Sequence, residues 1–330
     1  MNQAHIVGTG SCTPQRILSN KDLETIVQTS DEWIMRRSGI KERRISSNGR
    51  KESTTDLATQ ASLQAIKRAG ISPESLDMIV VGTVTSDRQF PSTACMVQKA
   101  LNVENAVAFD ISAGCSGFLY ALNVVNNAIR CQTSRTALVV GVERLSSVVN
   151  WRDRSTCVLL ADGAGAVVVS SSNERGGVLS SHLKSDGTFW ELLYSSEGNS
   201  FIPEILKDMD IKPYHLRMEG NRLFKQAIEC MSEIAEEALM HNAISSKEID
   251  LVIPHQANIR IIQGLGKNLG IPMEKIYTNI HKYGNTSSAT IPIALDEANR
   301  EGLLKKGSLV LLVSFGAGLT WGASVLQWTN

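Results

Sequence analysis

AGISPESLDMIVV (residues 69–81) and NAISSKEIDLVIP (residues 242–254) decide how this chain is organised. At an offset of 173 residues, Ile71, Ser72 and Asp77 fall on Ile244, Ser245 and Asp250, and Leu76 falls on Ile249. Each stretch ends a helical pattern, turns, and enters a short apolar run of strand character. The same offset carries Ala137–Val140 onto Val310–Val313. Two separate segments sharing one offset mark an internal duplication. We expect two halves, residues 1–170 and 218–330, meeting face to face with an active site between them. The less similar stretch 171–217 reads as a connecting insertion.

Outward from these segments the same alternation continues. Apolar, β-branched runs occur at 77–83, 136–143, 166–170, 250–256 and 308–316. Such runs suit central strands covered on both faces by helices. Helical patterns lie between them at Thr55–Ala69, Cys115–Arg130, Leu223–Met240 and Ile291–Glu301. The fold class is therefore α/β with layered packing.

Of the 330 residues, 42% are hydrophobic and 20% charged, which fits a globular protein rather than a disordered one. Thirty-three basic residues balance thirty-three acidic ones, so nothing suggests a nucleic-acid coat. No apolar run has the length of a membrane helix, and MNQAHIVGTG does not read as a secretory signal. Six scattered cysteines form no CxxC pair, which speaks against structural zinc, a redox pair or a disulfide framework. A reduced, cytoplasmic setting is expected.

Cys115 is the first candidate for chemistry. In AFDISAGCSGFLYALNVVNNAIR (108–130) a strand-like segment ends in small residues, the cysteine follows, and an amphipathic helix begins. A sulfur at a helix N-terminus meets unpaired N–H groups that favour thiolate and lower its pKa. Gly114 and Gly117 allow a sharp turn there. A buried, space-filling cysteine is the alternative that the residues alone leave open.

His255 follows the run DLVIP, at a strand end, where ligands collect in α/β sheets. Asn285 lies in HKYGNTSSAT, and the 173 offset places Cys115 on Ser288 in the same loop. Cysteine, histidine and asparagine can then converge on one cleft. Papain-like proteases use the same three residue types, but the duplication and the absence of their cysteine motif oppose that reading. DGAGA (162–166) and SFGAGLTWG (314–322) do not open dinucleotide-binding βαβ units. The second reads better as backbone turned to point N–H groups at an oxyanion.

Taken together and in order, the motifs become specific. GTGS near the start, TSDEWI (29–34), FPSTAC (90–95), the Cys115 segment, DGAGA, PHQANIR (254–260), YGNTSSA (283–289) and FGAGLTWG (315–322) run nearly end to end. The chain resembles the β-ketoacyl-acyl carrier protein synthase III family of the thiolase-like superfamily. That resemblance implies a layered αβαβα fold, with two mixed sheets around buried helices. It also implies decarboxylative condensation of a short acyl-CoA with malonyl-acyl carrier protein, initiating fatty acid synthesis. A related acyltransferase of secondary metabolism, with another primer or acceptor, is the alternative.

By position, the resemblance makes Cys115 the acyl-accepting nucleophile and His255 with Asn285 the decarboxylation pair. The N–H groups of Cys115 and Ala317 form the oxyanion hole. Trp33, Arg37, Arg154, Asn221 and Phe224 match CoA-binding positions, and Phe90 matches a residue that closes the partner's acyl pocket across a homodimer. Lys225, Arg260 and Lys267 match a basic patch for acidic acyl carrier protein. No metal or redox cofactor is implied, nor any membrane insertion. Ala317, Gly114, Ser116, Leu319 and Asn268 depart from the commonest family residues, and none is part of the catalytic trio.

Overall fold

The structure is a computed structural model that describes residues 2–47, 52–195 and 216–330. In chain order the strands are β1 (Gln3–Cys12), β2 (Ile17–Ser19), β3 (Glu42–Arg44), β4 (Met78–Gly82), β5 (Val107–Ile111), β6 (Thr136–Arg144) and β7 (Asp162–Ser172). There follow β8 (Gly177–Ser185), β9 (Leu193–Ser195), β10 (Leu216–Met218), β11 (Leu251–Pro254), β12 (Leu309–Gly316) and β13 (Thr320–Gln327). One sheet has the order β1-β7-β6-β4-β5 and the other β11-β12-β13-β8. Both are mixed. β4 runs parallel to β5 and β6, and β11 parallel to β12, while the remaining pairs in these two sheets are antiparallel.

The duplication is visible in these orders. β4, β6, β7 and β1 occupy the places that β11, β12, β13 and β8 occupy in the second sheet. The one-turn helices Pro73–Ser75 and Ser246–Glu248 stand 173 residues apart, as do Gly114–Ser116 and Ser287–Ala289. β8 belongs to the second sheet through its pairing with β13. Part of the stretch read from sequence as a connecting insertion, 171–217, is therefore a structural strand; residues 196–215 lie outside the described residues.

Two helices, Gly117–Arg130 and Thr290–Arg300, lie between the sheets. Phe118, Leu122, Ile291 and Leu295 join Val80, Val139 and Val167 of one sheet to Ile253, Val310 and Leu312 of the other in one apolar core. Thr290–Ala298 are all buried, which no outer helix tolerates, because an outer helix needs a wet face. Backbones approach closely here: a Cβ on Gly141 would stand 2.3 Å from the Ser288 carbonyl oxygen. Helix Thr54–Ala69 covers the first sheet, and helices Gly220–His241 and Ile259–Leu269 cover the second. The outer helices end as their sequences dictate. Ser53 and Asp56 form a capping box, and Gly70 and Gly270 close two C-termini in the left-handed conformation.

The halves are also tied by a buried charge. Asp296, fully buried on helix Thr290–Arg300, accepts from Thr9 Oγ1 at 2.8 Å and Ser11 Oγ at 2.6 Å. It also meets Arg68 and Arg300. Four donors around one buried carboxylate satisfy it, which is what makes its burial tolerable.

Candidate active site

The two buried helices begin without side-chain caps, each continuing from its one-turn helix. Cys115 sits in the first of these turns, and the Asn285 loop leads into the second. A cavity of about 880 Å³ opens between them, lined by Cys115, His255, Asn285, Ala317, Trp33 and Phe224 among others. The structure thus brings together the three residues that sequence reading placed far apart in the chain.

Asn285 is fixed by backbone bonds on both sides: its N–H donates to the Leu159 carbonyl, and its carbonyl accepts from Ala161 N–H, both at 2.9 Å. Its Oδ1 accepts from Ser287 N–H at 2.8 Å. Because that partner is a donor, the bonded atom must be the oxygen, and Nδ2, which no described residue engages, can donate to a ligand.

His255 follows β11, and its N–H is held by the Val313 carbonyl at 2.8 Å. Its side chain is 3% exposed, and burial pushes the ring down to about 3, so it stays neutral near pH 7. Nδ1 lies 2.7 Å from Thr290 Oγ1. The Thr290 hydroxyl has one proton and two acceptors in reach, Nδ1 and the Ser287 carbonyl at 2.9 Å. Given to Nδ1, that proton leaves the ring hydrogen on Nε2, where it can donate to a ligand.

The thiol differs from the sequence expectation. A helix N-terminus favours thiolate, but burial dominates and pushes Cys115 up to about 12. The Ser287 hydroxyl beside it acts the other way, and the nearby Glu143 carboxyl adds to the rise. The thiol is therefore protonated near neutral pH.

The backbone around the sulfur is crowded by design of the two loops. A Cβ on Gly316 would stand 2.5 Å from Cys115 N, and one on Gly114 would stand 2.8 Å from Ala317 N. Glycine at both positions lets the backbones of the two loops pack this closely.

Farther out, Arg37 and Arg154 lie over the Trp33 ring at 5.8 and 5.4 Å from its centroid, and Arg154 Nη1 donates to the Gln28 carbonyl at 2.9 Å. Trp33, Arg37, Asn221 and Phe224 line the cavity, and Arg260 stands 5.2 Å from the Phe224 ring at its rim. Lys225 lines a small adjoining recess and pairs loosely with Glu229. Lys267 is on neither cavity, and Phe90 is 83% exposed and outside the lining.

Sequence reading missed Glu143, Ser287 and Thr290. The signal for Glu143 was present: it is the charged residue that ends the otherwise apolar run TALVVGVE.

Known proteins can now be compared with this geometry. The family description 3-oxoacyl-[acyl-carrier-protein] synthase III fits residues 109–187, and its C-terminal counterpart fits residues 239–328. The β-ketoacyl-[acyl-carrier-protein] synthase III of Caldanaerobacter subterraneus subsp. tengcongensis is 49% identical over 327 residues, covering 99% of this chain and 98% of that protein. The chain belongs to the β-ketoacyl-acyl carrier protein synthase III family. The crystal structure of the Aquifex aeolicus synthase III superposes with a TM-score of 0.92 at 47% identity, covering 99% of this chain and all of that one. The priming β-ketosynthase of the R1128 polyketide pathway superposes at 0.94 with 34% identity, covering 99% of this chain and 97% of that one. The fold is thus thiolase-like, and the protein is an acyltransferase of the family that condenses acyl-CoA with malonyl-acyl carrier protein at the start of fatty acid synthesis. Among the described residues, no helix is long and apolar enough to cross a membrane.

Proposed function

We propose that the cavity carries out a two-stage, decarboxylative condensation with Cys115, His255 and Asn285 in the roles read from sequence. The observation that carries this reading is the convergence of the three on one cavity, with the histidine held neutral by burial. Cys115 sulfur attacks the acyl-CoA thioester, and N–H groups of Cys115 and Ala317 hold the tetrahedral oxyanion. CoA departs and malonyl-carrier protein takes its place. As CO₂ leaves, negative charge develops on the thioester oxygen, where His255 Nε2–H and Asn285 Nδ2–H donate. Neutral donors suit this step, because a carboxylate would repel the enolate. The carbanion then attacks the acyl group on Cys115, and the ketoacyl-carrier protein is released.

In the same reading Trp33, Arg37 and Arg154 receive the CoA adenine and phosphates, and Asn221 and Phe224 line the CoA tunnel. Lys225, Arg260 and Lys267 meet the acidic carrier protein. The exposed Phe90 completes the primer pocket of a second copy in a cytoplasmic homodimer. Likeness to the R1128 enzyme supports one further reading, in which the condensation primes a polyketide pathway.

One experiment tests both. The protein is incubated with acyl-CoAs from acetyl to decanoyl, and intact masses are taken before and after malonyl-carrier protein is added. An acyl adduct on Cys115 that is discharged as ketoacyl-carrier protein forms supports condensation and identifies the primer. An adduct that survives malonyl-carrier protein favours a different acceptor, as in secondary metabolism. If no acyl-CoA adds mass, the assignment of Cys115 fails.

A further inference from the structure

Glu143 lies beside the reacting centre and has no part in the condensation as set out above. Its side chain is fully buried at the end of β6. Both carboxyl oxygens lie 3.2 Å from Val84 N, and Oε2 accepts from Thr85 Oγ1 at 2.5 Å. Oε1 accepts from Ser287 Oγ and Ser288 Oγ, each at 3.3 Å. No lysine or arginine pairs with it among the described residues. A buried carboxyl without a counter-ion is costly and calls for a reason.

Ser287 provides a second observation. Its hydroxyl donates to Glu143 Oε1 at 3.3 Å and lies within reach of the Cys115 sulfur, with which it lines the cavity. Its backbone has a φ of +51°, the value also found at Gly114, its counterpart at the 173 offset. Glycine adopts that conformation freely, whereas a serine there costs about 1–2 kcal/mol. What serine has and glycine lacks is the hydroxyl. Asn285 Oδ1 accepts from its N–H and fixes the turn that aims it.

We propose that Glu143 accepts the Cys115 proton through the Ser287 hydroxyl during acyl transfer. The inference rests on the reading of Cys115 as the acyl acceptor. As the sulfur bonds to the thioester carbon, its S–H bond breaks and the proton passes to Ser287 Oγ. Ser287 gives its own proton to Glu143 Oε1. The leaving CoA sulfur is bonded to the same tetrahedral carbon and is therefore near the same hydroxyl. When its bond to carbon breaks, the proton returns through Ser287 to that sulfur, and the carboxylate is restored.

The surroundings agree with this path. Burial holds Glu143 at about 7, so a useful share of it is ionised at neutral pH, where a base works best. His255, pushed down to about 3, binds a proton too weakly to serve. Among the described residues Cys115 is the titratable group facing Glu143; Thr83, Val84, Thr85, Ser287 and Ser288 bring N–H and hydroxyl groups. An ionised Glu143 opposes a second anion on sulfur. Proton transfer moves one negative charge between the two sites instead of creating two.

The test is the pH dependence of Cys115 acylation between pH 6 and 9, followed by intact mass in the native chain, Glu143→Gln, Glu143→Asp and Ser287→Ala. Circular dichroism and the thermal midpoint establish that each variant is folded. The native rate should rise through an apparent value near neutrality and level off. Glu143→Gln and Ser287→Ala should be slower by about 10²-fold at pH 7 and should climb without a plateau. Glu143→Asp should recover part of the rate, and the loss should fall on acylation rather than on later transfer to malonyl-carrier protein. A Glu143→Gln rate equal to or above native, as removal of a repelling charge would give, overturns the relay while leaving Cys115 as nucleophile. Should Glu143→Gln not fold, a native profile in Ser287→Ala overturns it equally. Absence of any acyl group on Cys115 in the native chain instead removes the reading beneath it.

Discussion

At the starts of the two buried helices, the halves of this molecule hold the same backbone and different chemistry. Cys115 corresponds to Ser288, Gly114 to Ser287, Gly82 to His255, and Gly316 to Glu143. In the first turn the thiol reaches a cavity, and the facing strand end, Gly316, makes room for it. In the second, Ser288 is 1% exposed and donates to the Gly82 carbonyl at 2.7 Å and to Glu143. Glycine in one copy thus answers a functional side chain in the other. On the proposed reading, the difference teaches that one half contributes an attacking atom and the other the donors and acceptors that handle charge around it. A single site needs both copies.

That division can be broken most severely at the sulfur. Cys115→Ala should abolish the acyl adduct and lower condensation by about 10⁴-fold or more, measured as CoA release. Next is the donor side. Asn285→Ala should lower condensation by roughly 10²–10³, about 3–4 kcal/mol for one lost oxyanion donor, while Cys115 still acylates. Stepwise mass measurements separate the two stages. Equal loss in both would mean that the halves do not divide the work.

A smaller effect should appear in stability. His255 has a folded-state pKa far below its unfolded value, so the unfolded chain binds its proton first as the medium is acidified. The stability contributed by the neutral ring is therefore intact above about pH 6.5 and is lost as pH falls toward 3, amounting to about 3 kcal/mol by pH 4. His255→Gln should flatten the fall of the thermal midpoint between pH 7 and 4. Smallest should be Ala317→Gly. The oxyanion donor proposed there is backbone, so the added freedom should cost no more than about 1 kcal/mol, or ~5-fold in rate. A loss of 10²-fold would show that the Ala317 methyl packs against the reacting group.

Much of the fold was legible because buried central strands advertise themselves. The runs at 77–83, 136–143 and 308–316 correspond to β4, β6 and β12 within a residue at either end. β8, with the sequence GVLSSHLKS, was not legible. It is a half-wet outer strand of its sheet, so its polar residues read as loop, and it fell inside the supposed insertion. β13 was hidden differently, since its first residues belong to the glycine-rich motif at 314–322 and read as turn. At the site, the meeting of the cysteine, histidine and asparagine on one cavity could be read from local pattern and offset. The ionisation of the thiol could not, because it depends on burial by residues distant in sequence. Glu143 was obscured for the same reason: only the folded chain brings Ser287 and Ser288 to it.

Helices Gly117–Arg130 and Thr290–Arg300 have a consequence for how the chain comes apart. Each contributes side chains to a core shared by both sheets, and Asp296 on one of them is held by Thr9, Ser11 and Arg68 of the other half. The border between the duplicated segments is therefore not a seam along which the molecule can open. Splitting the coding sequence there would leave each product with a greasy helix and no second wall to cover it, a species prone to clump.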